Sequence, residues 1–184
     1  MREIIPLMTS CGLVDLGSGD GFENITVDAV IAHLLKTKRF NGHFPQALDV
    51  ARHSLACAMY ADPRDHLLPA LCAVHDFSEY LTGDVPSPAL RYMEAQVFLL
   101  DKLQRKLATS MLGPHAGRFD RRVLEVDKCI AMAEMHELGF PDSVLSDVDY
   151  EAMSCVRSVA NMSDDTVMEG LKSFIRRFDT PPTR

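Results

Sequence analysis

The fold is decided by residues 65–80, DHLLPALCAVHDFSEY. This segment is apolar at every position from Leu67 to Val74. A continuous apolar run of this kind predicts a helix that is buried on most sides. We therefore expect a central helix from about Asp65 to Tyr80.

Further helices are predicted on both sides of this segment, because apolar residues recur there at helical spacing. Thr26 and Ser163 are the expected N-caps of the first and the last of them, and Asn41-Gly42, Asp62-Pro63 and Gly113-Pro114 mark breaks. The remaining helices are expected at about 26–38, 45–60, 88–111, 118–138, 149–159 and 164–178. No alternating segment is long enough to predict a sheet. The predicted fold class is all-α, a single-domain bundle of about six or seven helices.

The 184 residues fit one domain of ordinary size, with no internal repeat and no linker. We expect an irregular segment over residues 1–25, the helical domain over residues 26–178 and a frayed tail over residues 179–184. A chain of this length can bury a core without a structural metal. A metal site in it is therefore more in keeping with catalysis than with folding.

The composition excludes several classes of function. The net charge of −7 and the absence of a basic stripe argue against a nucleic-acid partner. No run approaches the ~18 apolar residues of a membrane span. The five cysteines are odd in number and form no CxxC pair, and Cys57, Cys72 and Cys129 lie among apolar residues. We interpret these three as buried thiols in a reducing compartment, which favours the cytoplasm.

Metal-ligating residue types occur on three of the predicted helices: His53, the adjacent pair His75-Asp76, and Asp127. Each of them alone is a weak indication. The pair is more informative, since it directly follows the apolar run and a buried carboxylate is costly unless it is paired or bound to a metal. Mixed nitrogen and oxygen ligands suit Zn, Co, Mn, Ni or Fe, with positions left open for water and a phosphate oxygen.

Two further carboxylates follow the pair. Glu79 lies four residues after His75 and three after Asp76, which places it on the same helical face. Asp84 lies in the turn-rich loop of residues 82–88, TGDVPSP. Beside a metal that lowers the pKa of water, Glu79 could orient or deprotonate that water and Asp84 could serve the leaving oxygen.

The order H…HD…D resembles the signature of the HD-domain phosphohydrolases. The resemblance extends to residues 39–43 (RFNGH), 51–54 (ARHS) and 75–88 (HDFSEYLTGDVPSP), and it covers roughly residues 25–140. These segments look like the small bacterial and phage subgroup, which includes 5′-deoxynucleotidases and compact deoxynucleotide triphosphohydrolases. The resemblance implies an HD domain over residues 26–178.

The resemblance also implies roles for individual residues. One divalent metal would be held by His53, His75, Asp76 and Asp127. Asp120 is the alternative to Asp127 as the fourth metal ligand, because the only motif around Asp127 is the short sequence Val-Asp-Lys. Glu79 would be the catalytic acid or base, with Asp84 assisting near the sugar or the leaving group.

Substrate contacts are implied as well. Arg39 would hold phosphate through its forked guanidinium. Phe40 would pack on the sugar or the base, although the related deoxynucleotidases often carry Trp there. His43 is expected to face the substrate or to lie behind the metal ligands. Arg91 and Lys128 are further phosphate candidates, and a role as solvated surface cations is equally open for both.

The expected function is metal-dependent hydrolysis of a deoxynucleotide phosphate ester. A deoxynucleoside triphosphate, dATP in particular, would give the deoxynucleoside and tripolyphosphate, with Mg as an additional candidate ion for the phosphates. A 5′-deoxynucleotidase acting on monophosphates is the close alternative. A non-catalytic nucleotide-binding HD module and a plain helical interaction protein are the alternatives from other classes. Long amphipathic helices favour a homo-oligomer.

Overall fold

The computed structural model describes residues 5–86, 89, 92, 95–118, 120–145 and 147–179, and only the backbone of residues 95–99. The helices in chain order are α1 (Val27–Leu34), α2 (Val50–Tyr60), α3 (Leu68–Val74), α4 (Glu79–Thr82), α5 (Ala95–Leu112), α6 (Arg121–Glu137), α7 (Tyr150–Ala160) and α8 (Asp164–Ile175). Short 3₁₀ turns lie at Phe22–Asn24, Phe40–Gly42 and Arg176–Phe178. Within these described ranges, seven helices have seven or more residues, which confirms the predicted all-α bundle.

A two-stranded antiparallel hairpin forms near the N-terminus, from β1 (Pro6–Thr9) and β2 (Gly12–Asp15). The expectation of an irregular segment without a sheet was therefore wrong here. Strands of four residues are too short for a period of two to be visible in the sequence. The pairing becomes evident only in three dimensions, where Val14 enters the core and Leu13 stays exposed.

Helix α2 lies at the centre of the bundle and packs against α3, α6, α7 and α8. It is buried at every position from Val50 to Ala58 except one, Arg52. All seven residues of α3 are buried, as the apolar run predicts. Both helices also pack against α6.

The central helix is shorter than expected, since it ends at Val74 and not at Tyr80. The chain then makes tight turns, with Phe77 N–H donating to Val74 O and Glu79 N–H donating to Asp76 O. These hydrogen bonds span three residues instead of four, so they interrupt the α-helical pattern before α4 begins. His75 and Asp76 therefore lie in a turn rather than within a regular helix.

Two other boundaries differ from the prediction. Helix α1 ends at Leu34, four residues early, and α2 begins at Val50, where the Asp49 carboxylate accepts from Arg52 N–H. Pro45 therefore does not begin a helix. Between them, residues 35–49 form a loop whose two ends are joined by an isolated antiparallel β-bridge between the backbones of Lys38 and Asp49.

The predicted N-caps are confirmed, since Thr26 accepts from Ala29 N–H and Ser163 accepts from Thr166 N–H. Residues 87–88, where the fourth helix was expected to open, and the tail from residue 180 lie outside the described residues. No helix in the described part of the chain has the length and apolarity needed to cross a membrane.

Candidate metal centre

The four residues expected to bind a metal converge at one place. Asp127 Oδ1, from α6, lies 3.0 Å from His53 Nε2 and 3.8 Å from His75 Nε2. Asp76 Oδ2 lies 3.7 Å from His53 Nε2 and 3.2 Å from His75 Nε2. Nitrogen and oxygen donors bound tetrahedrally to one Zn²⁺ are about 3.4 Å apart, given metal–ligand bonds of about 2.1 Å. The side chains are therefore spaced as ligands of a single ion would be.

Asp120, the competing aspartate, has another role. It is the N-cap of α6, and its carboxylate bonds the backbone and the guanidinium of Arg122. Its oxygens are thus used locally, at the start of the helix. Asp127, two turns further along α6, is the residue that faces the histidines.

The outer nitrogens of both histidines are held by hydrogen bonds. His75 Nδ1 donates to Cys72 O over 2.7 Å, and His53 Nδ1 donates to Glu134 Oε1 over 2.7 Å. A ring whose Nδ1 donates in this way presents the lone pair of Nε2 on its other side. Metal-binding histidines are oriented by such contacts to a carbonyl or a carboxylate.

Three buried polar atoms at this centre have no hydrogen-bond partner among the described residues: His75 Nε2, Asp76 Oδ2 and Glu79 Oε2. A buried group of this kind costs about 1–3 kcal/mol when left unsatisfied. Three of them in one cluster identify a place where a bound group would be stabilising. A divalent cation fits both the donor types and their spacing.

The electrostatics of the centre agree with a site for positive charge. The pKa of Asp127 lies well below its usual value, because the hydrogen bonds and charges of His53 and His75 outweigh the effect of burial. Burial, together with the charges of Asp76 and Asp84, raises the pKa of Glu79 to about 10. Glu79 is therefore harder to ionise than an exposed glutamate.

Two residues of the centre were not predicted as members of it. Glu134 is buried on α6, seven residues after Asp127, and its Oε2 accepts from Arg39 Nε over 2.8 Å. Cys57 lies one turn after His53, with Sγ 3.5 Å from Nε2. The spacings i, i+7 and i, i+4 place both residues on the helical faces of the expected ligands, which is the signal that could have found them.

A pocket of about 260 Å³ opens beside the cluster. Its lining includes His75, Asp76, Glu79 and Asp127, together with Gln104, Arg105 and Arg118. Arg118 is exposed, and no ion pair joins it to an acidic group among the described residues. Arg105 also pairs with Asp101. The pocket lining therefore includes two arginines as well as the acidic residues of the centre, and neither arginine was predicted from the sequence.

Asp84, which was expected to assist near the sugar or the leaving group, holds the turn of Phe40–Gly42 through a hydrogen bond. Its Oδ2 accepts from Asn41 N–H over 2.7 Å, so the loop after α4 is joined to the turn of Phe40–Gly42. Burial is the main cause of the raised pKa of Asp84. Its neighbours Gly83 and Val85 line the pocket.

The residues predicted to contact the substrate differ in burial and in their distance from the pocket. Arg39 is largely buried and paired with Glu134, and its NH1 lies 3.7 Å from Asp76 Oδ2. The Phe40 ring packs against two other phenylalanines, Phe44 and Phe140. His43 and Lys128 are exposed and are not part of the pocket lining, and Arg91 lies outside the described residues.

The cysteines are free, and Cys57 and Cys72 are buried as expected, while Cys129 is partly exposed. Comparison of the chain with family models and with curated proteins finds no match.

Proposed function

We propose that the protein is a divalent-metal-dependent phosphohydrolase that acts on a deoxynucleotide, with a triphosphate as the favoured substrate. One observation carries the proposal: two histidines, oriented through Nδ1, and two aspartates converge beside a pocket. Three buried polar atoms of this cluster have no hydrogen-bond partner among the described residues. The resemblance of residues 25–140 to the HD-domain phosphohydrolases supports the same reading.

The ligands of the metal would be His53, His75, Asp76 and Asp127. A divalent ion bound there supplies Lewis acidity towards water and towards a phosphoryl oxygen. Zn, Co, Mn, Ni and Fe all accept this set of donors.

Glu79 would move the proton. Its Oε2 is buried, it lines the pocket, and its position one turn after Asp76 keeps it beside the ligands. A carboxyl group that shifts between protonated and ionised forms can take a proton from water and return it to the leaving oxygen. Asp84 lies five residues further on and would hold the sugar or the leaving group.

Arg118 and Arg105 would bind the phosphates, and the support for this is that both line the pocket. Guanidinium groups form forked contacts with phosphate oxygens. Arg39 would act mainly through Glu134, with which it forms a short ion pair. These cations offset the charge of an otherwise acidic protein locally.

A 5′-deoxynucleotidase acting on monophosphates is the second candidate. It is favoured by the small number of cations at the pocket, because Arg105 is already paired with Asp101. The same metal centre and the same Glu79 would serve either substrate. The number of phosphates is thus a question for product analysis.

The experiment is an incubation of the full chain with each of the four dNMPs and dNTPs, in the presence of Mn, Co, Zn or Mg in turn. Nucleoside, phosphate and tripolyphosphate are separated by chromatography. Tripolyphosphate and nucleoside from a dNTP support the triphosphohydrolase, and phosphate and nucleoside from dNMPs support the nucleotidase. No turnover with any metal contradicts both.

A variant pair distinguishes the centre from a contaminating activity. His75→Ala is expected to abolish activity and to lower the bound metal measured by mass spectrometry. His136→Ala changes an exposed histidine on α6 and is expected to leave both unchanged. Normal turnover by His75→Ala would exclude this site as the centre of the reaction.

A further inference from the structure

Cys57 adds a sulfur atom to the cluster of nitrogen and oxygen donors. The side chain is buried on α2, and its Sγ lies 3.5 Å from His53 Nε2. The same nitrogen is 3.0 Å from Asp127 Oδ1. The donor atoms of His53, Cys57, His75 and Asp127 all lie within 4.8 Å of one another.

The position of the sulfur agrees with coordination geometry. Zinc–nitrogen and zinc–sulfur bonds of about 2.1 and 2.3 Å at a tetrahedral angle place the two donors about 3.6 Å apart. The Sγ–Nε2 distance of 3.5 Å is close to this value. The i, i+4 spacing on a regular helix produces it, since His53 and Cys57 lie one above the other on the same face.

The surroundings of the cluster also point to a bound ion. His53 is fully buried, and its Nε2 is turned towards the sulfur and the carboxylates because Nδ1 is held by Glu134. His75 Nε2 is buried and lacks a hydrogen-bond partner in the described part of the chain. The thiol is thus beside nitrogens that are oriented for coordination, and not alone in an apolar core.

We propose that Cys57 is a ligand of the metal and that its thiolate makes the centre selective for thiophilic divalent ions. The inference rests on the proposed metal centre and concerns which ion that centre takes. On coordination the S–H bond breaks, the proton leaves to solvent and the sulfur lone pair binds the ion, with no change of oxidation state. Thiolate ligands favour Zn²⁺ over Mn²⁺ and Mg²⁺, which prefer oxygen.

The test uses the full-length chain loaded with Co²⁺ alone or with Zn²⁺ alone. A thiolate bound to Co²⁺ gives an intense charge-transfer absorption in the near ultraviolet, which nitrogen and oxygen ligands do not give. X-ray absorption of the zinc form should show one sulfur at about 2.3 Å in addition to the shorter nitrogen and oxygen shell. Neither measurement depends on catalytic activity.

The matched variants are Cys57→Ala and Cys72→Ala. Both cysteines are buried in neighbouring helices, but Cys72 is not in the four-donor group. Cys57→Ala is expected to lose the charge-transfer band and to bind Zn²⁺ at least about tenfold more weakly, the smallest effect usual for removing even an outer partner of a ligand. Its Mn²⁺ affinity should change little, and Cys72→Ala should retain the band.

The outcomes separate this inference from the proposed function. Binding of Co²⁺ and Zn²⁺ by the unaltered protein without the band and without a sulfur shell overturns the role of Cys57 and leaves the phosphohydrolase proposal standing. Failure of the unaltered protein to bind any divalent metal overturns both. If Cys57→Ala does not fold, the spectra of the unaltered protein still decide.

Discussion

His53 and Glu134 are joined by a 2.7 Å hydrogen bond, Nδ1 to Oε1, between two buried side chains on α2 and α6. The second carboxylate oxygen of Glu134 accepts from Arg39 Nε over 2.8 Å. One carboxylate therefore orients the imidazole and compensates a largely buried guanidinium. The direction of His53 Nε2 is set by a residue that does not itself face the pocket.

Glu134→Gln is expected to weaken metal binding about 10–100-fold, the usual effect of altering a group that orients a ligand. The amide retains the volume of the side chain but removes the charge that holds His53 and Arg39. A chelator competition titration measures the affinity. Glu137→Gln, one turn further on α6 and paired with Arg157, is the matched control and should bind metal normally. Equal affinities for the two variants would show that Glu134 does not orient the ligand.

Glu79→Gln is expected to lower kcat about 10²–10⁴-fold, since the amide cannot transfer a proton. The metal content should stay at the level of the unaltered protein, because Glu79 is not among the expected ligands. Steady-state kinetics and mass spectrometry measure the two quantities. Glu125→Gln, at an exposed position of α6, serves as control. An unchanged kcat would remove Glu79 from the mechanism.

Arg118→Ala is expected to raise KM about 10–100-fold, which corresponds to the ~1.5–3 kcal/mol of a hydrogen bond to a charged group. The reason is the position of Arg118 at the pocket, where it can contact phosphate. Arg121→Ala removes an exposed arginine that pairs with Glu125 and should leave KM unchanged. A similar KM for the two variants would place the phosphates elsewhere.

Gly83→Ala is expected to destabilise the protein by about 1–3 kcal/mol, measured by urea denaturation. Gly83 has φ 72° and ψ 174°, a conformation essentially restricted to glycine, and no atom within 4 Å would meet the added methyl group. The cost is therefore one of backbone conformation. A changed loop conformation is also expected to weaken the hydrogen bond between Asn41 N–H and Asp84, so kcat should fall as well. Unchanged stability would mean that the loop adopts another conformation without cost.

Asp15→Asn is expected to remove part of the acid sensitivity of the fold. The Asp15 carboxylate accepts from Ile5 N–H, Gly17 N–H and Ser18, and these bonds lower its pKa to about 2. A depressed carboxyl pKa contributes stability above its unfolded value near 4, and that stability is lost as the pH falls towards 2. Urea denaturation between pH 6 and pH 2 should show a smaller loss for Asp15→Asn. Parallel pH profiles would contradict this role, with Asp20→Asn as the exposed control.

The predictions from the sequence succeeded where they depended on a long apolar run or on a side chain that caps its own helix. The apolar run of Leu67–Val74 identified the buried helix, and Thr26 and Ser163 identified helix starts through their own side-chain bonds. The helix bounds around residues 35–49 were wrong, since α1 already ends at Leu34 and Asp49, rather than a residue near Pro45, caps the start of α2. The hairpin was missed because its strands are only four residues long.

The sequence by itself determined the all-α class and the order of His53, His75-Asp76 and Asp127 along the chain. Helical spacing already puts Cys57 near His53 and Glu134 on the face of Asp127, and the tertiary structure alone decided that these two faces meet and that Arg118 lines the same pocket as His75 and Asp127. Contacts such as His53–Glu134 join residues 81 positions apart, and no local pattern encodes which faces of α2 and α6 will meet. That choice results from packing the apolar surfaces of the whole bundle, which is a property of the complete chain and not of any one segment.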